Sequence, residues 1–90
     1  MIIPRYKTSG VEEEIPEEIQ HLLWGLIDSL EIPKDYLQIF QFITIDTTTT
    51  LLVHMQEQPE YKYSYKLTRW MRKIKIYFID SCDYSHMMLA

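Results

Sequence analysis

One stretch of the chain carries a helical stripe, and nearly everything after it is patterned for strands. Ile19, Leu22, Leu23, Leu26, Ile27 and Leu30 recur at the spacing of one helix face. Pro16 suits the first helical turn, where its missing N–H costs nothing, and Glu17 and Glu18 sit at the positive end of the helix dipole. Ile32-Pro33 ends the element, because the residue before a proline avoids helical geometry. Trp24 lies off the stripe, as a packing residue at its edge or an exposed anchor for a partner. A short strand over Ile2–Ser9, broken by Gly10, precedes the helix. Strands are predicted over Tyr36–Asp46, Leu51–Gln56, Tyr61–Thr68, Lys73–Asp80 and Tyr84–Leu89, with the threonine run 47–50 as a hairpin turn or strand edge. The third of these alternates cleanly: Tyr61, Tyr63, Tyr65 and Leu67 on one face, Lys62, Ser64, Lys66 and Thr68 on the other. A sheet with one apolar face needs a cover, and one helix has the stripe to provide it. The expected fold is therefore two-layer α+β, with one main helix (about Pro16 to Leu30) packed across a mostly antiparallel sheet of four to six strands in β-α-β-β-β-β order.

Ninety residues, 47% hydrophobic and 24% charged, fit one globular domain spanning residues 1–90 and do not fit a disordered chain. Cys82 is the sole cysteine, so no internal disulfide forms; with no signal peptide in view, a reducing cytoplasm is the expected location. No apolar run reaches the roughly 18–20 residues of a membrane span. Two glycines exclude the usual glycine-rich phosphate loops. A chain this small suits a binding module better than a catalyst.

The net charge of −4 hides two poles. Residues 1–35 hold three bases against eight acids, whereas residues 59–76 hold six bases against one acid. Such poles face different partners, pair with each other, or are simply solvated.

Catalytic constellations are weak. His21, His54 and His86 are isolated from one another, and His54, within a strand, reads as a packed residue rather than a base. Cys82 reads as a structural thiol. No histidines or cysteines have zinc spacing, and the Glu12-Glu13-Glu14 run lacks the spaced ligands of a calcium loop, so no metal or cofactor is expected. The basic stretch Tyr61–Tyr77 invites single-stranded nucleic acid, with tyrosines stacking on bases and Lys62 and Lys66 on phosphates. Stacking and phosphate-binding residues should share a surface, however, and here they alternate to opposite faces.

Two resemblances add to this reading. Arg5–Val11, Ile15–Gln20 with Leu23-Trp24 and Leu26–Asp28, Asp35–Phe40, His54–Lys62 and the ending Phe78–Asp80, Tyr84-Ser85, Met87–Ala90 resemble an uncharacterised family of small proteins from Gram-positive bacteria and their mobile elements. That family is a domain of unknown function and brings no activity. Ile15-Pro16-Glu17-Glu18-Ile19 and Pro59-Glu60-Tyr61-Lys62 are similar, in the same order, to two stretches of the phage uracil-DNA glycosylase inhibitor. That inhibitor is a domain of nearly this size that mimics DNA. Its acidic edge strand and helix start fill the enzyme's DNA groove, and a pocket between helix and sheet takes up the enzyme's inserting leucine. Carried over, Glu18 matches an acid at the helix start, Glu57 and Glu60 match acids flanking the second motif, and Leu52 matches an apolar residue of the pocket-side strand. The acidic edge-strand motif is absent as such, and Val11–Glu14 would stand in for it.

The leading expectation is a non-enzymatic inhibitor of a DNA-repair enzyme, uracil-DNA glycosylase first, that occludes the DNA groove. Glu12, Glu13, Glu14, Glu17, Glu18, Glu57 and Glu60 would supply charge, and Leu23, Leu26, Leu52 and Met55 the apolar pocket. The expected partner is thus a DNA-binding enzyme, with no direct contact to nucleic acid or membrane. The alternative is an interaction module of a mobile element that binds another protein through Trp24 or the basic strand; a single-stranded nucleic-acid binder ranks third.

Overall fold

The computed structural model describes residues 5–81 and 83–90. The chain runs β1 (Arg5–Lys7), α1 (Ser9–Glu14), α2 (Glu17–Asp28), β2 (Leu37–Asp46), β3 (Thr49–Gln56), β4 (Tyr61–Leu67), β5 (Ile74–Asp80) and β6 (Ser85–Leu89). The six strands form one sheet in the order β1-β6-β5-β2-β3-β4.

This corrects the expected architecture of one main helix on a mostly antiparallel sheet. The molecule is dominated by a six-stranded mixed sheet, and its helical residues are split into two short helices. The split has a local cause. The Thr8 side chain accepts the Val11 N–H and starts α1 ahead of Gly10, which lies inside that helix rather than breaking the chain. Pro16 then holds Ile15 in extended geometry (φ −113°, ψ 118°), and α2 starts afresh with Ile19 and Gln20 donating to the Pro16 carbonyl. The sheet is mixed because β1 runs parallel to β6 while every other pair is antiparallel. Within the described residues the expected strand over Ile2–Ser9 shrinks to β1, because Thr8 caps α1 and Ser9 belongs to that helix; Ile2 and Ile3 lie outside the described residues, as does the thiol expected at Cys82.

The helical face of the sheet carries the core. Phe40, Phe42, Leu52, Ile76 and Met87 are wholly buried with Val11 and Leu23, and Ile15, Ile19, Ile27, Met71 and Phe78 complete the cluster. Trp24 packs edge-on against Phe78 at 4.6 Å while the Arg5 guanidinium lies 4.5 Å from its ring centre. Thr47 and Thr48 form the β2–β3 turn, fastened by the Thr48 amide donating to Asp46 Oδ1. The connection from β4 back to β5 crosses the end of β2 and β3. Thr50 clamps it, its hydroxyl donating to the Arg69 carbonyl and accepting the Met71 N–H, while Thr44 donates to the Met71 carbonyl.

Candidate functional site

A groove of about 380 Å³ opens between α2 and the sheet, at the end where β2 begins and β5 ends. Trp24, Ile27, Phe78 and Tyr36 provide its apolar and aromatic wall; Arg5, Asp28, Lys34, Asp35 and Asp80 supply charge. Its size lies at the low end of ligand sites, which run from about 300 to 1,000 Å³. Arg5 pairs with Asp28, and Ser85 donates to Asp80. The Asp35 carboxylate accepts the backbone N–H groups of Glu57 and Gln58. Tyr36, two-thirds exposed, stands at the mouth, and the exposed Tyr6 and Tyr84 neighbour Arg5 and Ser85 in the chain.

A buried polar ladder fixes this end of the molecule. Gln56 uses every hydrogen-bonding site of its amide: it accepts from the Asp35 N–H and Gln38 Nε2 and donates to the Pro33 and Pro59 carbonyls. Gln38 also donates to the Asp35 carbonyl, which leaves its oxygen as an acceptor for His54 Nε2–H at 2.7 Å. His54 is therefore a structural residue, stacked on Phe40 at 4.3 Å and wholly buried. Burial pushes its pKa down to about 4, and its Nδ1 faces no partner. The ladder ties β2, β3 and the 33–35 segment together, so it sets the position of the groove's Asp35 and Tyr36.

The structure separates the acids that the sequence reading grouped. Glu12, Glu13, Glu14, Glu17, Glu18, Glu57 and Glu60 are all exposed. Glu12 pairs with Lys7, Glu14 with Arg72 at 3.1 Å and Glu18 with Arg69 at 3.0 Å; His21 lies 3.5 Å from Glu17. The hydrogen bond from Arg69 holds the Glu18 carboxyl below the usual range. Glu18 sits at the Thr50 end of β3, through Arg69, whereas Glu57 follows Gln56 at the other end and Glu60 precedes its partner Tyr61. Six strand residues at about 3.3 Å each put those ends about 20 Å apart. The two acidic groups thus occupy opposite ends of the molecule.

The four apolar residues are dispersed as well. Leu23 and Leu52 are sealed in the core, and Met55, paired with Ile39 and Lys62, lies on the face of the sheet away from the helices. Leu26 alone of the four lines a groove, a second one of about 340 Å³ with Leu30, Ile32, Tyr61, Tyr63 and Tyr65. Sequence reasoning missed Arg5, Asp28, Asp35, Tyr36 and Phe78. Trp24 beyond the helical stripe was the signal available, and it carried no hint of the strands that complete the wall.

Among the described residues no three histidine, cysteine or acidic side chains cluster as metal ligands, and no helix is long and apolar enough to cross a membrane. No curated protein matches the chain. A crystal structure of a protein of unknown function from Enterococcus faecalis is similar in fold, with a TM-score of 0.82 and 19% identity over 97% of this chain and 87% of that one. A family model described as "Staphylococcal protein of unknown function (DUF960)" matches residues 4–90. The chain therefore belongs to the DUF960 family of uncharacterised small proteins of Gram-positive bacteria.

Proposed function

We propose that this protein is a non-enzymatic module that binds another protein, seating an apolar side chain of the partner in the groove between α2 and the sheet. The groove itself carries this reading: the half-buried Trp24 lies over the buried Phe78 in its wall, the exposed Tyr36 stands at its mouth, and charges of both signs ring it. Tyrosines held at a groove mouth are efficient anchors, because they bring a large contact area and a hydroxyl at little entropic cost. The one aliphatic hydroxyl among the lining residues, Ser85, is committed to Asp80, and no histidine lines the groove to activate it. A photo-crosslinking side chain at Tyr36 should yield one discrete protein adduct in host cells, and the same side chain at Ser64 should not. Adducts at both positions alike, or at neither, would overturn the reading.

Uracil-DNA glycosylase inhibition is a narrower form of the same proposal. Its support is the position of the groove, between helix and sheet with Asp28, Asp35 and Asp80 in its walls, where the resemblance implies a receptacle for an inserting leucine. Burying a leucine contributes about 1.5–3 kcal/mol. The protein in stoichiometric excess should then stop uracil release from uracil-containing DNA, and Tyr36→Ala should restore it. Undiminished uracil release would retire this form while leaving the crosslinking result to decide the broader one.

A further inference from the structure

β4 is one edge of the sheet, hydrogen-bonded to β3 alone. Its seven residues alternate between two chemically different faces. Tyr61, Tyr63 and Tyr65 line the second groove, opposite Leu26, Leu30 and Ile32, with Tyr63 more than half exposed. Lys62 and Lys66 point to the face away from the helices, in register with Met55 and Leu51. Among the described residues Arg5 pairs with Asp28, Lys7 with Glu12, Arg69 with Glu18 and Arg72 with Glu14, whereas the lysines outside β1, Lys34, Lys73 and Lys75 included, form no such pair. Lys62 and Lys66 have no carboxylate partner among those residues. A free edge of this length is a template for another strand, and the pleat sends that strand's alternate side chains to the two faces.

We infer that β4 is a docking edge for an extended segment of a partner protein in which apolar and acidic residues alternate. The apolar residues enter the tyrosine-lined groove, and the acids meet Lys62 and Lys66. The lysines select the occupant. In a two-fold antiparallel pairing with a second copy, centred on Ser64, Lys62 would face Lys66 of the other chain at both ends, and like charges directly opposite destabilise a sheet. Glutamates at those positions convert the same geometry into attraction. The site is separate from the α2–sheet groove and does not depend on what that groove binds.

The test is an NMR titration of the whole protein with a seven-residue peptide alternating valine and glutamate. Amide shifts should concentrate on residues 61–67 and on Leu26, Leu30 and Ile32. One of the two alternately N-methylated versions should lose binding, because a strand donates to its neighbour from one side only. Lys62→Glu/Lys66→Glu, both at exposed positions, should weaken the glutamate peptide at least ten-fold with an unchanged melting temperature. That variant should instead take up the peptide with lysine in place of glutamate. Equal binding of both peptides to the unaltered protein, shifts away from β4, loss of β4 amide exposure through self-association, or preferential occupation of β4 by a twelve-residue oligothymidylate would each overturn the inference.

Discussion

At the scale of single residues, His54 and Gln56 hold the ladder that shapes the groove end. His54 titrates near 4 in the folded protein against 6.5 unfolded. Between those values the unfolded chain binds more protons, so stability must fall as pH drops from about 6.5 towards 4, by about 3 kcal/mol at the full shift. Glu18 acts lower on the scale: its depressed pKa contributes stability that is lost only as pH falls below about 4.5. The window from 6.5 to 5 thus belongs to His54 where those two groups are concerned. Urea midpoints measured across it should slope in the unaltered protein and flatten in His54→Gln, which keeps a donor for Gln38. Gln56→Leu should cost about 2–4 kcal/mol, since it strips partners from Gln38 and the Asp35 amide together. Hydrogen exchange at Asp35 should accelerate in that variant more than global unfolding accounts for. An unchanged Asp35 rate would show that the loop is held by other contacts.

Elements are stabilised unevenly, and the two glycines show it. An added Cβ at Gly25, on the exposed side of α2, meets nothing within 4 Å. Gly25→Ala should therefore stabilise by about 0.5–1 kcal/mol through helix propensity and reduced unfolded-state entropy, read as a rise in melting temperature. At Gly10 the same atom would lie 3.1 Å from Leu89 Cδ1, so alanine there gains only as far as the last side chain of β6 gives way by a few tenths of an ångström. The β4–β5 connection is fastened by two hydroxyls, and that of Thr50 carries two of the three bonds. Thr50→Val keeps the volume but leaves the buried Met71 N–H without its acceptor, which should cost about 1–3 kcal/mol in a denaturant titration.

For the molecule as a whole, the parallel β1–β6 pair joins the two ends of the described chain. Met87 on β6 is wholly buried, and the Thr8 amide before α1 donates to the Met87 carbonyl. Removing residues 84–90 deprives β1 of its partner and opens the core from that side. Losing a buried methionine alone costs about 2–5 kcal/mol, against a typical domain stability of about 5–15 kcal/mol. The truncated chain should show no cooperative thermal transition by circular dichroism; a sharp transition would mean that β6 is dispensable to the core.

Local chemistry was legible before any coordinates. Alternation from Tyr61 to Leu67 marks β4 and puts its tyrosines on one face, threonines 47 and 48 make the turn, and Pro16 starts α2, which ends at Asp28 with Ser29 as its cap, short of the expected Leu30 and of Pro33. Those signals rest on steric and polar preferences that act over a few residues. The same preferences left α1 hidden: Gly10 reads as a break until the Thr8 cap is seen to act on Val11. Long-range outcomes had no such signal. The direction of β1 follows from β6, about eighty residues later; the partner of Glu18 lies 51 residues away; the groove wall gathers side chains from α2, β5 and the 33–36 segment. Periodicity tells which side of its own element a residue faces, but a surface is made by elements that meet only when the sheet closes its register and the helices settle on it. The acids at 12–18 and those at 57 and 60, which the DNA-mimic reading put on one surface, therefore became two ends of a molecule, and folding brought Arg72 and Arg69 to Glu14 and Glu18 of the first group.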